Sequence, residues 1–166
     1  MSQAFGLPAS TLFIMDLGLT NKVIIVTGGA SGIGESITRG LAAEGARPVI
    51  FDRNAERGAE IAATEANIEF RQVDLMEPAA VDAAVAELER VDGVVNNAGL
   101  NDGAGLDASV DEFRASLERN LVQCFTIVRS AAASLRENQG SIINIGSKVA
   151  MTGQGGTSGY AAAKGG

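Results

Sequence analysis

From residue 22 onward the chain alternates short apolar runs, rich in β-branched residues, with longer segments whose apolar positions recur every three or four residues. The short runs predict five strands, at residues 22–27, 47–52, 68–74, 92–97 and 141–145. Strands that alternate with helices are typical of βαβ units and a parallel sheet. The run at 92–97 has too little polarity for a surface edge, so we expect the sheet to be buried on both faces.

The longer segments predict four helices between these strands. One follows the first strand and ends at Gly45, one covers residues 54–66, one begins at Pro78, and one covers about residues 110–135. Three of them carry apolar residues at helical spacing: Ile33, Ile37 and Leu41; Val81, Val85 and Leu88; Phe113, Leu117, Leu121, Phe125 and Val128. The elements together predict an α/β fold.

Length and composition fit one domain, because 166 residues, 46% of them hydrophobic, can bury a substantial core. We predict a domain at residues 16–166 and a loose tail at residues 1–15. The first fourteen residues lack a basic start, and their apolar run is too short for a secretory signal or a membrane span. We therefore expect neither targeting nor membrane association.

Composition also excludes several classes of function. Histidine is absent, which removes Ser-His-Asp and Cys-His catalysis and His-ligated zinc, and we predict no metal site. The single cysteine, Cys124, cannot form an intrachain disulfide, is interpreted as a small core residue, and is compatible with a cytoplasmic protein. A net charge of −7 argues against a nucleic-acid partner, which would require a clustered basic surface.

Chemistry first enters at the turn after the first strand, where the sequence TGGASGIG spans residues 27–34. A generic tight turn needs one or two glycines, whereas this one has four between a strand and a helix. Glycines in that context let backbone amides approach a pyrophosphate at the helix N-terminus. We predict a dinucleotide-binding turn formed by Gly28, Ser31, Gly32, Ile33 and Gly34.

A carboxylate at the end of the second strand predicts which dinucleotide is preferred. Asp52 lies 18 residues after Gly34, where it can accept hydrogen bonds from both hydroxyls of the adenosine ribose. The same charge would repel a 2′-phosphate. The prediction is therefore NAD, with some use of NADP left open by the neighbouring Arg53.

Near the end of the chain, Tyr160 and Lys164 stand four residues apart, with Ser147 thirteen residues upstream of the tyrosine. Residues i and i+4 are neighbours on a helix, and an ammonium close to a phenol lowers the pKa of that phenol. A serine hydroxyl could then hold a substrate oxygen while the tyrosine exchanges its proton. The alternative interpretation is a solvated surface pair.

Taken together, these motifs resemble the short-chain dehydrogenases/reductases: TGxxxGxG at 27–34, NNAG at 96–99, and Ser147 with Tyr160 and Lys164. The resemblance runs from about residue 16 to the end. It implies a Rossmann-type, doubly wound parallel sheet that stops after the fifth strand and the start of the following helix. It also implies an oxidoreductase that transfers hydride between an alcohol and a nicotinamide cofactor.

The resemblance assigns further roles position by position. Asp74 and Leu75 would border the adenine, with a plain strand end as the alternative for Asp74. The turn at Asn97, Ala98 and Gly99 would line the cofactor, unless it is purely structural.

For the catalytic groups, the resemblance implies a tetrad. Asn120 would hold a water in a proton relay, although a merely solvated asparagine is the alternative. Ser147 would orient the substrate oxygen, Tyr160 would act as base in oxidation, and Lys164 would bind the nicotinamide ribose and lower the tyrosine pKa.

The substrate is predicted from two polar stretches, at residues 101–107 and 148–159, which look like the branch that contains L-fucose and related aldose dehydrogenases. Asn101, Asp102 and Gln154 would suit a polyhydroxylated substrate, because each hydroxyl taken from water needs a new partner. A flexible polar loop is one alternative. A reductase of a small ketone or 3-oxoacyl group is the other.

Members of the family continue well past the lysine, so we expect the carboxyl-terminal part to be missing here. A frayed stub around Tyr160 and Lys164 and an exposed fifth strand should result. We favour the amino-terminal part of a dehydrogenase, which would form a homo-oligomer when complete. A binding module without catalysis and a purely structural role are the competing interpretations.

Overall fold

The protein is described here from a computed structural model that covers residues 15–166. The tail predicted at residues 1–15 therefore lies outside the described residues except for Met15. Five parallel strands form one sheet in the order β3-β2-β1-β4-β5. They are β1 (Val23–Thr27), β2 (Arg47–Asp52), β3 (Glu69–Gln72), β4 (Gly93–Asn96) and β5 (Ser141–Asn144). All five predicted strands are confirmed, although β3 is three residues shorter than expected.

Helices connect the strands on both sides of the sheet. They are α1 (Gly32–Ala43), α2 (Ala55–Ala62), α3 (Pro78–Ala86), α4 (Val110–Leu117), α5 (Gln123–Glu137), α6 (Val149–Thr152) and α7 (Ser158–Gly165). The long helix predicted at 110–135 is broken by a π-helical turn at Glu118–Val122. A π turn shifts the register of the residues that follow it, and such turns are frequent at functional sites.

The strand order places β1 at the centre, with β2 on one side and β4 on the other. From β1 the chain adds β2 and β3 on one side of the sheet, and then β4 and β5 on the other. This reversal of strand order creates a crevice between the turns that follow β1 and β4. Ligands of doubly wound sheets bind in that crevice, at the carboxyl ends of the strands. The glycine-rich turn and the NNAG turn therefore face each other across it.

The core lies on both faces of the three inner strands. One cluster packs Ile25, Val49 and Val94 against Val81 of α3 and Ile127 of α5. A second cluster packs Ile50 against α1 and α2, and a third surrounds Val26 and Val95. The sheet is thus covered on both faces at β1, β2 and β4, as predicted.

The two faces of the sheet are not buried at β5, so the prediction that the sheet is buried on both faces is wrong for this strand. Ile142 and Ile143 are 46% and 54% exposed, and β5 has a partner strand only on its β4 side within residues 15–166. This is the exposed edge that the sequence predicts for the fifth strand.

The helix that carries Tyr160 and Lys164 differs from the expected frayed stub. α7 is formed from Ser158 to Gly165, and Ala163 is 3% exposed. Gly159 explains the close docking, since a Cβ there would lie 2.7 Å from the Cβ of Ser116 on α4, and its amide donates to the Ala104 carbonyl oxygen at 2.8 Å.

A buried carboxylate joins the amino ends of three strands. Asp92 accepts hydrogen bonds from the Val23 amide, Lys22 and Arg90, and its own carbonyl oxygen accepts from the Ser141 amide. Burial alone would raise the pKa of Asp92, but the hydrogen bonds from Arg90, Val23 and Lys22 outweigh it and hold the pKa below its ordinary value.

We expect Asp92→Asn to lower the free energy of unfolding at neutral pH by about 1–3 kcal/mol, because it leaves charged donors without their carboxylate. A depressed pKa gives stability that is present above the ordinary carboxyl range and is lost as the pH falls through the folded-state value. The difference from the parent should therefore shrink below about pH 4. Urea unfolding followed by circular dichroism measures it. The exposed Asp111→Asn is the control, and a difference that does not change with pH would contradict the assignment.

Candidate active site

A cavity of about 630 Å³ opens at the carboxyl edge of the sheet, in the crevice between the β1 and β4 turns. Among the residues predicted for the site, those that line the cavity are Gly28, Ser31, Gly32, Ile33, Asp52, Asp74, Leu75, Asn97, Ala98, Gly99, Ser147, Tyr160 and Lys164. Gly34 and Asn120 do not line it, and each supports the wall from behind. The structure thus brings together residues from six separate segments of the chain.

The glycine-rich turn packs against the β4 turn more closely than a side chain would allow. A Cβ on Gly34 would lie 2.1 Å from the Gly28 carbonyl oxygen and 2.5 Å from Nδ2 of Asn97. Gly28 itself has a φ of 63°, and a Cβ there would lie 3.0 Å from Cα of Ala98. Glycine is therefore required at both positions for the two turns to meet.

Hydrogen bonds hold the same two turns together. Nδ2 of Asn97 donates to the carbonyl oxygens of Thr27 and Gly28, at 3.0 and 3.2 Å. In return, the buried Thr27 hydroxyl accepts from the amides of Asn97 and Ala98, both at 3.0 Å. The NNAG turn is therefore structural as well as cavity-lining, because it fixes the distance between β1 and β4 at the crevice.

The arrangement fits the dinucleotide predicted from the sequence. The turn residues Gly28 and Gly32 line the cavity beside the start of α1, and because they are glycines no Cβ atoms stand between the backbone and the cavity. The helix dipole favours an anion at this position. Asp52 also lines the cavity, where its carboxylate accepts from the amides of Ala30 at 3.2 Å and Asn54 at 3.0 Å. Each carboxylate oxygen has further lone pairs available for ribose hydroxyls.

Asp74 lies at the rim next to Asp52. It is exposed, lines the cavity, and accepts from the Met76 amide at 2.9 Å, so it also closes its own turn as in the alternative interpretation. Leu75 is half-buried, lines the cavity and packs against the core cluster beneath.

Ser147, Tyr160 and Lys164 line the cavity on the β5 side of the sheet, whereas Asp52 lines it on the β2 side. The Lys164 ammonium lies 5.9 Å from the centroid of the Tyr160 ring and donates to the Ile145 carbonyl oxygen at 2.9 Å. This bond anchors the lysine to the end of β5, while the i,i+4 spacing on α7 keeps it beside the phenol. The Ser147 hydroxyl accepts from the Val149 amide at 3.4 Å, at the start of α6.

Asn120 is buried, so the interpretation as a solvated asparagine is wrong. Its Oδ1 accepts from the Leu100 amide at 2.7 Å, and its Nδ2 donates to the carbonyl oxygens of Leu100 and Ser116, both at 3.0 Å. A Cβ on Gly99 would lie 3.1 Å from this Oδ1 and 3.2 Å from Nζ of Lys164. Asn120 thus fixes the residues next to the lysine from behind.

The buried face of the α4 and α5 segment is not the apolar face predicted. Phe125 is 66% exposed, and the buried positions around the π turn are polar: Ser116, Asn120, Gln123 and Thr126. Asn120, Gln123 and Ser116 bond to a loop distant in sequence, at Leu100, Ala98 and Asp102 respectively, whereas Thr126 bonds to the Val122 carbonyl oxygen one turn earlier. The apolar spacing alone could not reveal this.

Several cavity-lining residues were not predicted, including Phe51, Val73, Met76, Leu100, Arg119, Gln123, Ile145 and Gly146. Most of them flank a predicted residue at a strand end, and that position was the available signal. Arg119 and Gln123 lie inside or next to the π turn, which no feature of the sequence indicated.

The polar groups predicted to face the substrate do not converge. Asp102 accepts from the Ser116 hydroxyl at 2.9 Å and from the Arg119 guanidinium, so it ties the loop after β4 to the helix. Gln154 lines a separate cavity of about 770 Å³, together with Leu106 and Glu112. Asn101 is exposed and lines neither of these cavities.

Two titratable groups on the bordering helices have shifted pKa values. Hydrogen bonds from Arg57 and Arg39 hold the pKa of Glu35 below its ordinary value and tie α1 to α2. Burial raises the pKa of the Cys124 thiol, and the charge of Lys164 opposes that rise without cancelling it.

Residues 15–166 contain no cluster of three or more Cys, Asp or Glu side chains placed to bind a metal ion. In the same range, no helix has the length and apolar character needed to cross a membrane.

Comparison with known proteins adds three findings to this geometry. The short chain dehydrogenase family profile matches residues 22–166. L-fucose dehydrogenase of Rattus norvegicus is 34% identical over 152 residues, which cover 88% of this chain and 56% of that protein. The 3-alpha-(or 20-beta)-hydroxysteroid dehydrogenase of Mycobacterium tuberculosis (strain ATCC 25618 / H37Rv) is 38% identical over 153 residues, covering 88% and 59%.

Among solved structures, the crystal structure of Cj0485 dehydrogenase superimposes with a TM-score of 0.85 at 39% identity, covering 91% of this chain and 61% of that one. The chain thus spans between 56% and 61% of the length of these three proteins.

We expect Gly34→Ala to separate the β1 and β4 turns, since its Cβ has no room beside Gly28 and Asn97. The free energy of unfolding should fall by about 1–3 kcal/mol, which is the usual cost of adding atoms to a site that is already fully packed. Gly40→Ala on the same helix is the matched control, because its Cβ meets nothing within 4 Å. That variant should be neutral or stabilised by up to about 1 kcal/mol. Urea unfolding of both variants measures the contrast, and equal stabilities would contradict the close approach.

Proposed function

The chain belongs to the short chain dehydrogenase family, and we propose that it carries the cofactor-binding and catalytic residues of an NAD-dependent dehydrogenase that oxidises an alcohol by hydride transfer. The observation that carries the proposal is a single cavity with Asp52 and the glycine-rich turn at one end and Ser147, Tyr160 and Lys164 at the other. A nicotinamide dinucleotide has a matching polarity, with adenosine at one end and the reactive ring at the other.

In the proposed reaction, Tyr160 removes the proton of the substrate hydroxyl while the Ser147 hydroxyl holds the same oxygen. The Lys164 ammonium lies 5.9 Å from the centroid of the Tyr160 ring and places a positive charge beside the phenol that is proposed as the base. When bound, the nicotinamide supplies the hydride acceptor, and the protein positions and polarises the reacting groups. In the reductive direction Tyr160 returns the proton.

Asn120 is assigned to positioning. Its side-chain amide is already bonded to Leu100 and Ser116, so it holds the loop that carries Gly99 against Lys164. The water-holding role implied by the family resemblance stays a prediction. We assign that role to the backbone of Asn120, because its side chain is already hydrogen-bonded to Leu100 and Ser116.

NAD is proposed over NADP because Asp52 lies at the adenosine end of the cavity. A carboxylate accepts hydrogen bonds from ribose hydroxyls and repels a 2′-phosphate. Arg53 also lines the cavity and leaves NADP as the weaker alternative.

The substrate proposed first is a sugar oxidised at its anomeric hydroxyl, on the similarity to L-fucose dehydrogenase. One observation favours a second candidate, an apolar alcohol or ketone: the substrate side of the cavity presents Leu100, which is 53% exposed, while Asp102 is committed to Arg119. A small ketone or 3-oxoacyl compound and a hydroxysteroid belong to that second class.

A spectrophotometric assay of NADH formation separates these candidates. A version extended to the length of its relatives should be given NAD with a panel of aldoses that includes L-fucose, and in parallel a hydroxysteroid and a 3-hydroxyacyl thioester. Turnover with an aldose alone supports the sugar, and turnover with the apolar alcohols alone supports the second class. If NAD binds but no alcohol is oxidised, the dehydrogenase proposal fails in favour of a binding module.

We expect Tyr160→Phe in the extended protein to lower kcat by at least about 100-fold, because it removes the hydroxyl that is proposed to exchange the substrate proton. The ring and its contact with Lys164 remain, so the Kd for NAD should stay within about twofold. Steady-state kinetics and calorimetric titration measure the two quantities. Substantial turnover by the variant would refute the assigned base.

We expect Asp52→Ala to weaken NAD binding by about 10- to 100-fold, through loss of a charge-assisted hydrogen bond worth about 1.5–3 kcal/mol. NADP binding should improve, because the repulsion of its 2′-phosphate is removed. Asp52→Asn serves as the control, since it loses the charge but keeps one acceptor oxygen for one of the two amides, that of Ala30 or that of Asn54. An unaltered ratio of the NAD and NADP affinities would remove Asp52 from the ribose site.

A further inference from the structure

Gln123 lies directly after the π turn, as the first residue of α5, and its side chain reaches the NNAG turn. Its Nε2 donates to the Ala98 carbonyl oxygen at 2.8 Å. The residue is 3% exposed and yet lines the cavity, beside Gly99 and Leu100. It is therefore a buried polar group at the wall of the proposed cofactor site, contributed by a helix that the proposed mechanism uses only through Asn120.

The other half of the Gln123 amide has no partner. Its Oε1 is buried, and no donor among residues 15–166 lies within hydrogen-bonding distance. The amide orientation is fixed by its neighbour, because exchanging oxygen and nitrogen would set Oε1 against the Ala98 carbonyl oxygen. An unsatisfied buried carbonyl costs about 1–3 kcal/mol, and native proteins seldom keep one.

The location restricts what can satisfy Oε1. Ala98 is preceded by Asn97, which bonds the glycine-rich turn, and is followed by Gly99, where a Cβ would meet Asn120 and Lys164. Gln123 thus contacts the wall between the adenosine end and the catalytic end. A dinucleotide offers three kinds of hydrogen-bond donor: the adenine amine, the nicotinamide carboxamide and the ribose hydroxyls. The first two belong to its extremities, whereas the riboses lie between them.

We infer that Gln123 is a cofactor-binding residue whose Oε1 accepts a hydrogen bond from a ribose hydroxyl of the bound dinucleotide. The inference rests on the proposed function, because it takes the cavity to be a nicotinamide dinucleotide site. The π turn then serves both contacts. It orients Asn120 toward Leu100 and Gln123 toward Ala98. The helical segment formed by the π turn and α5 thereby fixes the loop after β4 and presents an acceptor to the cofactor.

A coupling experiment tests this directly. The parent and Gln123→Met are titrated by calorimetry with NAD, with NAD analogues that lack one hydroxyl of the adenosine ribose, and with analogues that lack one hydroxyl of the nicotinamide ribose. Met has a similar volume but no acceptor oxygen. Gln123→Met should weaken NAD binding about tenfold. One of the deoxy analogues should bind the parent about tenfold more weakly than NAD and bind the variant no more weakly than NAD.

Thr126→Val is the matched control. Thr126 is a buried polar residue one turn further along α5, bonded to the Val122 carbonyl oxygen and absent from the cavity wall. Its Kd for NAD should stay within about twofold of the parent. If Gln123→Met does not fold, Gln123→Leu replaces it. That variant also lacks an acceptor oxygen, so the same loss of the hydroxyl preference is expected.

The outcomes separate the inference from the proposed function. Equal NAD affinities of the parent and Gln123→Met, or hydroxyl penalties that are the same in both, would overturn the role of Gln123 while leaving the dehydrogenase site intact. A folded parent that binds neither NAD nor NADP would overturn the proposed function and this inference together.

Discussion

The close contact between the β1 turn and the β4 turn is the constraint on which the site depends. Gly34 allows the Gly28 carbonyl and the Asn97 amide to lie where a Cβ would otherwise stand. Thr27 and Asn97 then exchange hydrogen bonds across β1 and β4. Since β1 and β4 are neighbours at the point where the strand order reverses, this contact shapes the crevice in which we propose that a dinucleotide binds.

A second set of contacts joins that crevice to the side chains proposed to be catalytic. Gln123 and Asn120 bond to Ala98 and Leu100, on either side of Gly99, and a Cβ on Gly99 would lie 3.2 Å from the Lys164 ammonium. The loop after β4 is thus held between the cofactor end and the catalytic end. A disturbance of the π turn would be expected to reach both, because the same helix fixes both sides of the loop.

The sequence predicted the strands and the glycine-rich turn well because their signals are local. β-branched runs predict strands, and four glycines between a strand and a helix are typical of a turn that approaches a phosphate. The buried face around Asn120 and Gln123 could not be predicted in the same way. These polar side chains are buried because of backbone partners 20 to 25 residues away, and apolar spacing favoured Phe125, which is 66% exposed. Asp102 was assigned to substrate for the same reason, since its bond to Arg119 depends on how the loop folds back.

The central claim is that the β1 and β4 turns with Asp52 form a dinucleotide site. Calorimetric titration of the 166-residue chain with NAD and, separately, with ADP-ribose tests it most directly, because it requires neither turnover nor a known substrate. The account predicts saturable binding of both compounds at one site per chain, since the adenosine half of the cavity lies within residues 22–99. A chain that is folded by circular dichroism but binds neither compound would contradict it.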